Sequence, residues 1–324
     1  MTREPMNQET RPEELPAEVL RDVAKVVGAE VTHLDRLPGG VNGGAVRVQL
    51  DGRADAVLKV APRAHRGHLD ETLRAQRVVE HMRGRGYPTP AWLGVGATAA
   101  HVWHLMDLVD AAPAAELTPS LVEQLMEIIE LQAGQASEPY DHWSYAWRVA
   151  TGRESAVGGP DPDETPEQAL LRQSVARLPG YSCDVSALVE RLRLMCADIP
   201  PPPEAPDMVH ADLATPGNIL VRDGAVVAVV DIGNAGSGTR ATDLTNLLWY
   251  AFRDPLLDDV RGRLWTRILD LVGWEGAAVL VAAHILHMLE IPVRDGRHDA
   301  VPEVVRRGDR ALDELNALRP GAHI

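Results

Sequence analysis

Apolar and polar positions along this 324-residue chain change their rhythm about a third of the way in. Before that point, short apolar runs alternate with turn signals. Residues 31–37 and 45–50 flank the glycine-rich PGGVNGG, 56–61 reads AVLKVA, and 92–95 and 102–109 complete the set. Runs of this length, bounded by Gly, Asp and Pro, predict five strands. A helix is expected over 15–27, with Leu15, Val19, Val23 and Val26 on one side, and another over 65–86, ending near Gly84 and Gly86. From Leu117 the period becomes helical. Leu121, Leu125, Ile128, Ile129 and Gln132 recur at helical spacing, with Thr118 as a cap and Pro119 at the first helical position. Two more helices lead to about Ala197, another runs to Phe252, and 257–272, 275–290 and 300–318 follow. Trp143, Tyr145 and Trp147 form a local aromatic cluster expected to pack on the core. The pattern predicts an α+β chain, a small sheet-bearing part over 1–108 and a larger, mainly helical part over 109–324. Residues 1–15 are expected to be disordered, 158–168 to be an exposed acidic loop, and AAPAAELTP to be a linker.

One stretch departs from pure packing logic. Residues 207–233 read DMVHADLATPGNILVRDGAVVAVVDIG. Two apolar runs, 219–221 and 225–230, flank Arg222-Asp223-Gly224, and Asp-Gly suits a hairpin turn that needs positive φ. Asn218 opens the first run and Asp231 closes the second, so both are expected at one end of the hairpin. An apolar strand ending in a carboxylate calls for a partner. Just upstream, His210 and Asp212 stand as H-x-D, and Asn218 follows Asp212 by six residues. Phosphoryl transfer needs a divalent metal on the phosphates and a group that orients the attacking hydroxyl. Mg²⁺ takes oxygen ligands, few of them from protein. Asn218 and Asp231 can supply such oxygens, and Asp212 can accept the proton of the acceptor hydroxyl. The competing reading is a hairpin whose Asp and Asn are incidental caps.

Composition narrows the partners. A net charge of −15 argues against a nucleic-acid or anionic-membrane surface. It favours a cationic small acceptor no more than it favours simple solubility. No run of about 18 apolar residues occurs, so no membrane span is expected. The polar, acidic N-terminus lacks an apolar signal core, and Cys183 and Cys196 read as core thiols of a cytoplasmic protein. Lys25 and Lys59 are the only lysines among 32 Lys and Arg residues, which singles out Lys59 inside its apolar strand.

The loop and hairpin resemble the catalytic and metal-binding segments of the protein-kinase-like superfamily, in particular the aminoglycoside phosphotransferase and choline kinase branch. That branch carries H-G-D-x-x-x-x-N, where this chain has Ala211 for the glycine, and a metal motif of Asp followed by W, F or I, where Ile232-Gly233 replaces the bulkier pair. The resemblance spans roughly residues 31–290. It implies a two-lobed fold, a five-stranded N-lobe and a helical C-lobe, with ATP or GTP bound between them. It implies further that Asp212 is the catalytic base and that Asn218 and Asp231 hold Mg²⁺, with His210 and Asp243 as structural support. Lys59 would hold the phosphates, and Gly39, Gly40 and Asn42 match the family's G-G-x-x-N loop over the nucleotide. Met106 and Leu108 would meet the base at the crossing between lobes. Counting back from Pro88-Thr89-Pro90, the position of the family's lysine-pairing glutamate falls on Gln76, so Gln76, Glu80 or Glu71 takes that place. Asp243 survives from a G-D-P-x-x-D-L frame and would cap or anchor its helix.

The implied activity is O-phosphorylation of a small molecule. An antibiotic of aminoglycoside type leads, with nucleoside or macrolide antibiotics equally compatible. A metabolic kinase for choline, a sugar or an amino alcohol, and a catalytically silent nucleotide-binding protein, are the alternatives. Asp254, Asp258 and Asp259 are candidates to meet an amine-bearing acceptor, and His284, His287 and Glu290 form a weak zinc candidate.

Overall fold

A computed structural model describes residues 15–37, 45–136, 140–153 and 173–321. The expected disordered start, the glycine-rich turn with Gly39, Gly40 and Asn42, and the acidic loop at 158–168 lie outside them, apart from Leu15. The chain divides into two compact units, 1–84 with 89–111, and 85–88 with 112–324.

The first unit is built on a five-stranded antiparallel sheet. Strands β1 (Val31–Arg36), β2 (Ala45–Leu50), β3 (Ala56–Pro62), β4 (Trp92–Ala97) and β5 (His101–Asp107) lie in the order β1-β2-β3-β5-β4. Helix α1 (Ala17–Val27) buries Val19, Val23 and Val27 against Val46, Val48, Leu58, Trp103 and Leu105. The predicted stripe was one residue off, because Val26 is 50 % exposed and Val27 takes its place in the strict i, i+4, i+8 row. Asp22 on the same helix accepts the indole N–H of Trp103 at 2.8 Å, which satisfies the one polar atom of that core residue. A Cβ at Gly96 would collide with the Trp103 ring, so only glycine fits there. Helix α2 (His68–Gly84) packs on β4 through Ala75, Val78, Val79 and Met82.

The second unit is mainly helical. Its described helices are α3 (Pro119–Glu130), α4 (His142–Thr151), α5 (Cys183–Cys196), α6 (Ala241–Ala251), α7 (Asp258–Arg294) and α8 (Val301–Ala317). Thr118 caps α3 by accepting the Leu121 N–H, with Pro119 next to it. Trp143 and Trp147 are buried, and the Trp147 indole donates to the Ile199 carbonyl at 3.0 Å. Helix α7 is broken at Gly273, whose φ of 67° and ψ of −177° separate the two predicted segments. The stretch Pro255–Arg294 is long and apolar enough to cross a membrane by composition, against the sequence expectation. Its most apolar window is 67 % buried inside the unit, so packing accounts for the apolar character.

Short strands cradle the loop that matters. Strand β6 (Ala112–Pro113), within the stretch read as a linker, pairs with β8 (Ile219–Arg222), which pairs with β9 (Ala225–Val229). Strands β7 (Asp207–Val209) and β10 (Gly236–Gly238) make a second, two-stranded sheet. Of the two cysteines, Cys196 is buried, with its thiol pushed up to about 12 by burial, whereas Cys183 is exposed rather than in the core.

Candidate active site

Ile219 faces Val229 across the β8–β9 hairpin, and the Val230 N–H donates to the Asn218 carbonyl at 2.9 Å. Asn218 and Asp231 are thereby held at one end of the ladder. At the other end Asp223 and Gly224 both have positive φ, 53° and 77°, a primed turn that matches the strand twist. Asp231 itself takes φ 66° and ψ 42°, a left-handed conformation that aspartate tolerates better than most residues. That conformation ends the strand, exposes the Asp231 side chain and buries Ile232 behind it.

The loop before the hairpin is fixed by long-range contacts. The fully buried Asp243 carboxylate accepts the backbone N–H of His210 at 2.7 Å and of Ala211 at 2.9 Å, and the Gln132 amide at 2.9 Å. Asp243 lies in the first turn of α6, yet its oxygens serve the loop rather than cap that helix. His210 is also fully buried. Its Nε2 lies 3.1 Å from the Val230 carbonyl, and its Nδ1 lies 3.3 Å from the Asp212 N–H. A single neutral tautomer, protonated on Nε2, satisfies both bonds and ties the loop to the hairpin. Ala211 is forced to φ 73°, where the resembling family has glycine. Asn246 on α6 donates to the Ala211 carbonyl at 2.9 Å and closes the turn.

Asp212 emerges exposed at the tip of this frame. Thr215 donates to its Oδ1 at 2.6 Å, and Asn218 Nδ2 donates to its Oδ2 at 3.0 Å and to its carbonyl at 2.8 Å. Both carboxylate oxygens are therefore oriented by the loop's own residues. With Nδ2 committed to Asp212, the Asn218 Oδ1 remains an acceptor oxygen able to bind a cation. Together with the exposed Asp231 carboxylate this gives two hard oxygens at one edge, a donor set that suits Mg²⁺ with phosphate and water completing its shell.

Sequence reasoning missed Thr215, Gln132 and Asn246 as site residues. Thr215 was legible as a hydroxyl one turn beyond Asp212. Gln132 was legible as a polar residue at a buried helical position, where it is 0 % exposed. Asn246 carried no local signal.

The first unit holds the other expected residues. Lys59 sits partly buried in β3 between Ala45 on β2 and His104 on β5. Gln76 donates to the Trp92 carbonyl at 3.4 Å, Glu71 lies 3.3 Å from His65, and Glu80 is exposed on α2. Met106 is buried within the sheet opposite Val57 and Trp92, and Leu108 is the first residue past β5.

Two of the three aspartates expected to face an amine have local partners. Asp254 accepts the Leu256 N–H at 2.9 Å, Asp258 pairs with Arg261 at 2.5 Å, and Asp259 is exposed beside it. Among the described residues no cluster of three His, Cys, Asp or Glu could hold a metal, so His284, His287 and Glu290 are not a zinc site.

A five-stranded antiparallel sheet followed by a mainly helical region with this loop and hairpin defines a protein-kinase-like small-molecule phosphotransferase. The chain belongs to the phosphotransferase enzyme family APH, whose pattern matches residues 33–280. Solved structures share the fold. A thermostable mutant of aminoglycoside phosphotransferase APH(4)-Ia, in a ternary complex with ADP and hygromycin B, is 18 % identical. It superposes with a TM-score of 0.61 over 91 % of this chain and 98 % of that one. A putative fructosamine-3-kinase from Thermobifida fusca is 21 % identical, with a TM-score of 0.55 over 90 % and 98 %. LicA in complex with AMP is 12 % identical, with a TM-score of 0.51 over 93 % and 98 %. No curated protein matches significantly.

Proposed function

We propose that this enzyme transfers the γ-phosphoryl group of ATP or GTP to a hydroxyl of a small hydroxylated antibiotic, and that the product no longer acts on its target. The acceptor oxygen attacks the γ-phosphorus, the bond from that phosphorus to the bridging oxygen breaks, and the nucleoside diphosphate leaves. The hydroxyl proton passes to the Asp212 carboxylate, which Thr215 and Asn218 aim by hydrogen bonds to its two oxygens. Positioning supplies most of the acceleration in phosphoryl transfer, so an oriented carboxylate suffices as base. Mg²⁺, when bound through Asn218 Oδ1 and Asp231, would neutralise charge on the phosphates. Lys59 would steady the same phosphates from β3. The single observation that carries this reading is the gathering of Asn218 and Asp231 at one end of the β8–β9 hairpin, with Asp212 hydrogen-bonded to Asn218.

An antibiotic acceptor is supported by the likeness in fold to an enzyme solved with hygromycin B. The net charge of −15 favours attraction of a cationic acceptor at long range. The likeness to a putative fructosamine-3-kinase supports a metabolic acceptor as the second reading. A nucleoside triphosphate donor and two free cysteines favour a cytoplasmic site of action.

Labelled ATP and GTP with Mg²⁺, offered with hydroxylated antibiotics and metabolites, test the proposal. Transfer that disappears in Asp212→Ala supports it, and the acceptor that is labelled decides between the two readings. Tight nucleotide binding without transfer to any acceptor would establish a silent nucleotide-binding protein instead.

A further inference from the structure

One hydroxyl of the protein already sits on the reacting carboxylate. Thr215 Oγ1 donates to Asp212 Oδ1 at 2.6 Å, and both residues are exposed. Among the described residues no other hydroxyl bonds Asp212, whose remaining partners are Asn218 and the His210 ring. Five residues separate Asp212 from Asn218, one more than the H-G-D-x-x-x-x-N pattern has, and Thr215 is the middle one.

The Thr215 hydroxyl has no other structural duty. Thr215 stands at the N-cap position of the one-turn helix Pro216–Asn218, where a threonine usually accepts a backbone N–H, yet its side chain makes no cap bond. Backbone alone closes that turn, the Asn218 N–H donating to the Thr215 carbonyl at 2.8 Å. Asn218 grips Asp212 twice, at Oδ2 and at its carbonyl, and Leu213 is buried between them and the core. The carboxylate therefore keeps its place when Thr215 turns away.

A base prepares an acceptor hydroxyl by taking a hydrogen bond from it at about 2.6–3.2 Å. The Thr215 bond has that form, and its partner is the carboxylate that the transferase reading makes the base. Any small acceptor must compete with Thr215 for Asp212.

Resting on that reading, we propose that Thr215 is a phosphorylation site of the enzyme itself, modified from its own bound nucleoside triphosphate when no small acceptor is present. Thr215 Oγ1 attacks the γ-phosphorus, the bond from that phosphorus to the bridging oxygen breaks, and the nucleoside diphosphate leaves. The hydroxyl proton passes to Asp212 Oδ1 and from there to water. The modification replaces a hydrogen-bond donor with a phosphate that carries nearly two negative charges at neutral pH, beside a carboxylate. Like-charge repulsion then turns the loop away from its active arrangement, so a donor-loaded enzyme without an acceptor switches itself off.

The full chain, incubated with Mg²⁺ and ATP or GTP and no acceptor, tests this by intact mass and peptide mapping. One phosphoryl group per chain is expected, on Thr215, at a rate independent of protein concentration. Thr215→Ser keeps the hydroxyl and should be modified, whereas Thr215→Val and Asp212→Ala should not. Asp212→Ala mixed with the unmutated enzyme should stay unmodified, because base and hydroxyl belong to one loop. The purified phosphorylated chain should transfer to a small acceptor about tenfold more slowly, or less. Phosphate on another residue only, or a rate that rises with protein concentration, overturns the inference. Transfer to a small acceptor with Thr215 never modified overturns it too, and leaves the transferase reading standing. Modified Thr215 without transfer to any small acceptor supports the inference and removes the small-molecule acceptor. Neither product overturns both.

Discussion

The sheet unit and the hairpin with its loop reach order by different routes. In the sheet unit most neighbours in sequence are neighbours in space: β1 pairs β2, β2 pairs β3 and β4 pairs β5, with β3–β5 the one pairing out of sequence. Its core is an alternation of apolar side chains under α1. The loop at 210–218 has almost no apolar packing of its own beyond Leu213. It is held by Asp243 and Asn246 of α6 and by the Val230 carbonyl just past β9, with Gln132, two residues past α3, bonded to Asp243. A reacting carboxylate must be exposed and yet stand still, and hydrogen bonds from buried side chains achieve both.

The sharpest break of this contrast is Asp212→Ala. Removing the exposed carboxylate should cost about 10²–10⁴-fold in transfer rate with little change in stability or nucleotide affinity, measured by single-turnover transfer and urea unfolding. Asp243→Ala should do the opposite in its first readout. It strands two backbone N–H groups and the Gln132 amide in the interior and should lower stability by about 3–5 kcal/mol, with activity lost as the loop relaxes. Equal stability of the two variants would erase the distinction.

The buried histidines supply a pH-dependent version. Each has a folded pKa below its ordinary value of 6.5, so between that value and about 4 the unfolded chain binds protons that the folded chain refuses. Stability should therefore fall as pH drops through this window, by up to about 1.4 kcal/mol per pH unit for each ring. Replacing His287 with Gln should halve that contribution in urea titrations at stepped pH; an unchanged slope would mean that the ring already protonates in the folded chain. The smallest effect concerns backbone strain. Ala211 at φ 73° pays for a left-handed conformation that glycine adopts freely, so Ala211→Gly should raise stability by about 1 kcal/mol or less, read as a shift in the urea midpoint.

Five strands, the hairpin with its Asp-Gly turn, the helix breaks and the H-x-D…N spacing were legible in the sequence, because each rests on interactions between residues close along the chain. Val27 replacing Val26 in the α1 stripe was a matter of one residue's phase. The local employment of Asp254 and Asp258 was not legible. A carboxylate looks available in sequence until its cap or its arginine is seen. The same holds for Asp243, which reads as a helix cap and serves a loop more than 30 residues upstream.

By itself the sequence determined which side chains meet at the end of the hairpin, since a carboxylate, an amide and a second carboxylate stand at fixed spacing around one Asp-Gly turn. Only the tertiary structure decided what surrounds them. Whether His287 on α7 is charged depends on burial that no local pattern records.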